Sequence, residues 1–464
     1  MQTSQPRQVV PTELLQRFDV VGPRYTSYPT ADRFVEAFDA DTYRAWVAKR
    51  RLGPLSRPLS LYVHLPFCGS ICYYCACNKV VTRSRGRSAK YVGYLAREIG
   101  MQSELLEGGR DVVQMHWGGG TPTFLSNAEL AEMMDVIRSQ FRLDEKGEYS
   151  IEIDPRALQA DTLEVLRGLG FNRISLGVQD FDADVQRAVH RIQTEEQTLE
   201  AMTQARRLRF HSINVDLIYG LPKQHVVGFN RTLDKVIDAA PDRIAMYNYA
   251  HLPAVFKPQR RIDEADLPSA ETRLQLLSLA IRRLTGAGYE YIGMDHFARP
   301  DDELAVAQGQ GRLHRNFQGY STGANCDLIG LGISAIGQVG PTYSQNVKSL
   351  EEYYDRLDRG TLPVLRGVEL SADDLVRRAV IQCLMCRFEV PIESIEIAHL
   401  VDFGKYFATE MADLRPFQEA GLLTLEDQWL SVTPLGRFFI RNICMVFDRY
   451  LREGRERAGY SKAV

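Results

Sequence analysis

The sequence has no run of about 18 apolar residues, so no membrane span is expected. Its first residues, Met1-Gln-Thr-Ser-Gln-Pro-Arg7, lack the apolar core of an export signal, and the cytoplasm is the expected compartment. Neither sign of charge dominates: 56 Lys and Arg stand against 59 Asp and Glu, a net charge of −3. No broad basic face is expected, which argues against nucleic acid as a partner. Cysteine is scarce, with 8 in 464 residues, so the chain is not a disulfide framework. No Lys-Ser/Thr pair follows the Gly118-Gly119-Gly120 run, which excludes a P-loop. No internal repeat is visible.

Half of those cysteines are crowded into ten residues: Cys68, Cys72, Cys75 and Cys77. Zinc sites usually present two Cys-x2-Cys pairs set well apart, and no His pair completes one here. The first three cysteines follow a C-x3-C-x2-C spacing, which suits a loop wrapped around one face of an iron–sulfur cluster. Three thiolates hold three irons, and the fourth iron stays open to bind and reduce a small molecule. Thiolate clusters favour a reducing compartment. Cys77 reads as an accessory group beside the cluster or as a fourth ligand, the former preferred because three cysteines already complete the site. His64 reads equally as a hydrogen-bond donor to the cluster or as a satisfied core histidine.

With 45% hydrophobic and 25% charged residues the chain can bury a large core. Short apolar runs at 61–66, 112–118, 149–154, 173–178, 212–219 and 243–249 read as strands. Amphipathic helices lie between them. Ser126 with Glu129, Asp161 with Glu164 and Thr194 with Gln197 mark helix starts, and Tyr91, Leu95 and Ile99 stripe the first helix. The pattern predicts an α/β fold with parallel pairing and right-handed crossovers. An open doubly wound sheet and a partial barrel both satisfy it.

Residues 1–52, with the turn-forming and aromatic stretch Gly22–Thr30, read as an N-terminal arm on the main domain. Residues 53–365 read as the catalytic domain and 366–464 as a mainly helical C-terminal domain. Within these, a helix is expected at 268–286, a strand at 289–297, a hairpin at 422–432 and a helix at 434–451. Cys383 and Cys386 read as core cysteines in a helix, not as a redox pair.

The chemistry-bearing residues fall at the C-terminal strand ends, where sheets of this class react. Gly118–Gly120 let backbone approach a ligand closely, or simply make a tight turn. Glu152 and Asp216 are acids on otherwise apolar strands and need partners, such as ligand hydroxyls or an ammonium. Arg191 reads as a carboxylate binder or as cover for a helix. Ile336 packs on an adenine or on the core. His314–Tyr320 has the composition of a site-facing loop.

Several stretches together carry a family likeness: Arg24-Tyr-Thr-Ser-Tyr-Pro-Thr30, Cys68–Cys77, Gly118–Pro122, Ile151–Pro155, Gly177-Val-Gln179, Asn248–Pro253 and His314–Tyr320. The chain resembles radical S-adenosylmethionine (SAM) enzymes, and among them the oxygen-independent coproporphyrinogen III oxidases, over nearly its whole length. The resemblance implies a partial (β/α)6 TIM-like barrel with an N-terminal arm and a helical C-terminal domain. It implies a 4Fe–4S cluster on Cys68, Cys72 and Cys75, and two molecules of SAM. Tyr62, Gly119, Glu152 and Ile336 would touch the first. Tyr74, Gly120, Thr121, Gln179, Arg191, Asp216 and Ala250 would surround the second, with Phe317 and Gln318 facing the pocket. Cys77, as the cysteine that marks the subfamily, is the candidate catalytic residue outside the ligand set. The implied reaction converts two propionates of coproporphyrinogen III to vinyl groups, giving protoporphyrinogen IX, with an external electron donor such as flavodoxin or ferredoxin and a monomeric chain. Arg24 is a candidate for a substrate carboxylate. Ala76 and Tyr74 depart from the expected glycine and phenylalanine. The rival reading is a haem-binding chaperone of the same superfamily, which typically lacks Cys77, the arm and the 314–320 stretch. A third, a radical enzyme on another substrate such as a methyltransferase, is opposed by the arm and by that same stretch.

Overall fold

In the strand Ser212–Tyr219, Ile213, Val215 and Leu217 pack against helices while Ser212, Asn214 and Asp216 face the opposite way. The same alternation recurs along the sheet, and it is what the fold is built on. The computed structural model describes residues 11–18, 20–50, 57–106, 109–294, 296–323 and 325–454. The expected boundary between arm and barrel at 52/53 lies outside the described residues.

Strands β1 (Leu59–Leu65), β2 (Asp111–Gly119), β3 (Arg142–Ile153), β4 (Arg173–Gln179), β5 (Ser212–Tyr219) and β6 (Arg243–Asn248) lie side by side in chain order, all parallel. The order never reverses, so there is no switch point of the doubly wound kind. Right-handed crossovers that always advance in one direction put every helix on one face, and the sheet curls around the other. One edge continues through β7 (Glu290–Gly293) and β8 (His296–Ala298), antiparallel, with β8 next to β6. The other continues through β9 (Asp327–Leu331), parallel to β1, then β10 (Ile336–Val339), β11 (Thr342–Asn346) and β12 (Val364–Glu369). The resulting 12-stranded sheet runs β12-β11-β10-β9-β1-β2-β3-β4-β5-β6-β8-β7 and does not close on itself. It is the partial barrel that the resemblance implies.

The capping boxes at Ser126–Glu129 and Thr194–Gln197 form as expected. Asp161 heads its helix without capping it, because its carboxylate accepts from Asn127 Nδ2 at 2.9 Å. The strand expected at 289–297 is two strands, since Gly293 (φ 129°) and Met294 (φ 42°) turn the chain back. The helix expected at 434–451 is three short pieces, Gly436–Phe439, Ile440–Val446 and Arg449–Arg452.

The main core fills the space between the outer sheet face and the helices, with Trp117 and Phe171 edge to face at 5.0 Å. A second core gathers the helix Ala372–Arg387, the hairpin of Leu423–Leu425 with Trp429–Val432, and Ile440–Val446. It also takes in Ile292 and Leu304 and the arm's Phe18, Tyr25 and Tyr28. Residue 366 itself falls within β12. Cys386 is buried in the second core and burial pushes its thiol up to about 12. Cys383 packs at its edge. Among the described residues no helix is long and apolar enough to cross a membrane.

Candidate active site

Directly after β1 the chain enters the cysteine loop. Phe67–Cys68 pairs with Val80–Val81, and Val80 N–H donates to the Pro66 carbonyl at 2.7 Å, so both ends of the loop are pinned to the strand end. Inside it Tyr73 N–H donates to Val189 O at 2.9 Å, and His190 Nδ1 is 2.8 Å from Ile71 O. Gln259, 1% exposed, supports the loop from outside: its Nε2 donates to the carbonyls of Tyr74 (3.0 Å) and Ala250 (3.1 Å), and its Oε1 accepts from Leu252 N–H.

Each thiol of the C-x3-C-x2-C set has its own polar neighbour. Thr121 Oγ1 donates to Cys68 Sγ at 3.6 Å, and Arg156 and Arg191 both donate to Cys72 Sγ at 3.7 Å. The Cys77 thiol and the Lys79 ammonium lower the Cys75 thiol, while Cys77 itself is pushed up. Burial pushes Cys68 up to about 11, with the Thr121 hydroxyl acting against it and the charges of Cys75 and Cys72 adding to it. Among the described residues no three His, Cys, Asp or Glu side chains converge on a single ion position.

The three thiols do not sit in a neutral wall. Asp154 lies between Arg156 (2.6 Å) and Arg191 (3.2 Å). Burial would raise its carboxyl, but the two guanidiniums outweigh this and lower it. Arg191 is therefore already engaged by Asp154 and by the Gly177 carbonyl at 2.6 Å, while its Nε is buried without a partner among the described residues.

Beside the loop, at the ends of β1 to β3, a cavity is lined by Tyr62, His64, Cys77, Gly119, Glu152, Phe317, Gln318, Ser334 and Ile336. This single cavity gathers the candidate catalytic cysteine and all four residues expected around a first SAM. His64 Nε2 is 2.9 Å from the Asn78 carbonyl, which can only accept, so the proton is on Nε2 and Nδ1 accepts from Tyr62 OH at 3.1 Å. His64 is thus the satisfied histidine of its second reading: its one N–H goes to the Asn78 carbonyl and is not free to donate to a cluster, though the ring also lines the cavity. Glu152 accepts from Gly119 N–H at 3.1 Å and pairs with His116 Nε2 at 3.3 Å. Burial would raise its carboxyl, but His116 and the Gly119 amide outweigh that and keep it low. Gly119 (φ 110°) admits no side chain: a Cβ would come within 2.5 Å of the His64 ring. At Gly120 it would meet the Pro66 backbone at 2.6 Å.

Behind this cavity lies the barrel lumen. Gln114 and His116, Glu148, Ser150 and Glu152, Ser175, Asn214 and Asp216, and Tyr247 line it, as do Gln318, Tyr320 and Ser321 of the hairpin His314–Asn316/Gly319–Ser321. Asp216 accepts from Ser175 Oγ (2.9 Å) and Asn214 Nδ2 (2.8 Å). Burial, then the Glu152 charge, pushes its carboxyl up to about 6. Gln318 lines both spaces, and its Nε2 is buried without a partner among the described residues. Tyr74, Gly120, Thr121, Gln179, Arg191 and Ala250 are not in the first cavity. Tyr74 and Ala250 meet through Gln259, Thr121 stands at Cys68, and Gln179 (φ 69°) is buried beside Gly177 and Arg191.

Sequence reasoning missed His116, Asp154, Arg156 and Gln259. The polar alternation of β2 carries the signal for His116 and the stretch Ile151–Pro155 that for Asp154, with Arg156 one residue beyond it. Nothing local marks Gln259.

The Radical SAM superfamily profile matches residues 62–236, and the HemN C-terminal domain profile residues 370–439. An oxygen-independent coproporphyrinogen III oxidase of Pseudomonas aeruginosa is 53% identical over 442 residues, 95% of each chain. That of Escherichia coli K12 is 47% identical over 451 residues, 97% of this chain and 98% of its own. The solved E. coli structure described as coproporphyrinogen III oxidase (HemN), a radical SAM enzyme, superposes with a TM-score of 0.90 at 46% identity, covering 95% of this chain and 99% of that one. With these matches running over 95–97% of its length, the chain belongs to the oxygen-independent coproporphyrinogen III oxidase family of the radical SAM superfamily.

Proposed function

We propose that the chain carries out the oxygen-independent decarboxylation of two propionate side chains of coproporphyrinogen III to vinyl groups, giving protoporphyrinogen IX. The observation that carries this reading is the junction of two spaces: the cavity at the cysteine loop and the polar lumen share Glu152 and Gln318. A reactive centre held in the first is next to a substrate held in the second. The residues present fit the cofactors of the superfamily. Three thiols lie close enough for their charges to act on one another, glycines expose backbone where a Cβ would collide, and the buried Gln318 Nε2 has no acceptor among the described residues.

When bound, a 4Fe–4S cluster on Cys68, Cys72 and Cys75 together with SAM supplies the one-electron chemistry that opens a C–H bond on the propionate β-carbon, CO2 and an electron leaving afterwards. The chain does the rest. Glu152, held ionised by His116, accepts from ligand ammonium or hydroxyl groups. Arg156 and Arg191 donate to Cys72 Sγ and Thr121 to Cys68 Sγ, and would stabilise the negative charge of these thiolates as cluster ligands. Tyr62, Gly119, Glu152 and Ile336 would hold one SAM. Tyr74, Gly120, Thr121, Gln179, Arg191, Asp216 and Ala250 would hold a second, with Phe317 and Gln318 facing the pocket. Cys77 lies in the cavity wall beside Cys75, an accessory position. A cytoplasmic monomer served by a flavodoxin- or ferredoxin-type donor completes the reading.

The test is anaerobic reconstitution with iron, sulfide, reductant, SAM and coproporphyrinogen III, followed by porphyrin fluorescence after oxidation. Protoporphyrin is expected. Its absence, together with stable haem binding, would overturn the reading in favour of a chaperone.

A further inference from the structure

The hairpin His314–Asn316/Gly319–Ser321 carries a buried cation with no acid partner among the described residues. Arg315 is 4% exposed, and its Nε and Nη1 have no hydrogen-bond partner among the described residues. The arginines at the other end of the lumen differ: Arg243 pairs with Asp302 at 2.8 Å, and Arg173 with Glu303. A buried, unpaired guanidinium is expensive to keep. Yet Arg315 is held firmly. Its N–H donates to Gln382 Oε1 (3.2 Å), its carbonyl accepts from Gln382 Nε2 (2.8 Å), and its guanidinium lies over the Tyr320 ring at 4.7 Å. Tyr320 in turn donates to the Met385 carbonyl at 2.8 Å.

A second cation approaches the same neighbourhood from the arm. Arg24 Nη2 donates to the Asn248 carbonyl at 2.8 Å, next to Tyr247. His296 lies between the two, its ring 5.2 Å from Tyr320 and 5.7 Å from Tyr247, and all three of these rings line the lumen. His296 Nδ1 donates to the Met294 carbonyl, and burial followed by the charges of Arg315 and Arg24 pushes the ring down to about 3, so it stays neutral. The lumen is therefore polarised. Among the described residues the acids lining it are Glu148, Glu152 and Asp216, none of them paired with Arg315, and the charges acting on His296 from beside it are those of Arg315 and Arg24.

We propose that Arg315, assisted by Arg24, is the clamp for a propionate carboxylate of the substrate, making it a specificity-determining residue of the reaction. The proposal rests on the functional reading above for the identity of the substrate. A guanidinium fork fits a carboxylate in two parallel hydrogen bonds, and preorganisation on Tyr320 and Gln382 leaves little to order on binding.

The test uses the reconstituted holoenzyme under anaerobic conditions, with coproporphyrin III as a fluorescent tetracarboxylate probe and its tetramethyl ester as the uncharged comparator. Arg315→Gln is expected to weaken tetracarboxylate binding about 10- to 100-fold and to raise KM for coproporphyrinogen III. Ester binding, SAM affinity and iron content are expected to match the wild type. Arg315→Lys restores part of the affinity, because it returns the charge without the fork, and Arg24→Gln gives a smaller loss from the accessible side of the site. Equal tetracarboxylate affinity in Arg315→Gln and wild type, or an equal loss for the ester, overturns the clamp. If Arg315→Gln does not fold, an unchanged affinity in both Arg315→Lys and Arg24→Gln overturns it. No turnover by the wild type sinks the reaction itself. Wild-type turnover with unaltered KM in Arg315→Gln sinks the clamp alone.

Discussion

Glu152 and Asp216 are two lumen acids whose surroundings pull them apart. His116 and the Gly119 amide keep Glu152 low, while burial and the Glu152 charge lift Asp216 to about 6. The sign of the consequence is fixed. Asp216 binds its proton more tightly folded than unfolded, so it costs stability as pH rises from its ordinary 3.8 to about 6, and adds no slope above that. Asp216→Asn should remove this slope and stabilise the chain at pH 7 by at most about 3 kcal/mol, read from Tm against pH, while weakening SAM binding. Gly119→Ala tests the cradle: with φ at 110° and the His64 ring in the way, about 1–3 kcal/mol of strain and loss of SAM binding are expected. Gly93→Ala, where a Cβ meets nothing, should do neither. Glu152 and Asp216 were legible because an acid on an apolar strand needs a reason. Gln259 was not, because its partners are supplied by segments up to 185 positions away.

Among the elements, the strands were legible and their interruptions were not. Period-two alternation marks β3 and β5 in any context. The reversals at Met294 (φ 42°) and Ser334 (φ 57°) place ordinary residues in left-handed backbone, which packing imposes and composition does not announce. The cysteine loop shows the same division. Its spacing is local, but its rigidity comes from Gln259. Gln259→Leu leaves the Leu252 amide and two carbonyls unanswered, and a cost on the order of 3 kcal/mol is expected from groups of this kind. The damage should appear first in the loop, as faster loss of iron in air at nearly unchanged secondary structure.

Across the whole molecule, the arm is tied to the far end of the chain. Tyr25 OH donates to Asp448 Oδ2 at 3.0 Å across 423 positions, Arg441 holds the carbonyls of Gly22 and Pro23, and Asn442 Nδ2 reaches Phe18 O. Such pairs leave no trace in the pattern around either partner, so the arm was visible as a segment but its anchor was not. Tyr25→Phe leaves a buried carboxylate short of a donor. It should loosen the arm by about 1–3 kcal/mol, seen as faster limited proteolysis near Arg24 while the barrel core stays resistant. The arm's Phe34 meets Phe317, which also packs on Tyr343 of β11, and Tyr320 of the same hairpin meets His296 of β8. In a closed barrel, strand number and stagger fix the bore. In this one, β7 and β12 never meet, and side chains on the hairpin span the seam instead. The path for a wide, flat macrocycle across that seam is therefore closed by side chains alone, like a clasp on a hoop, and crossing it breaks no rung of the ladder.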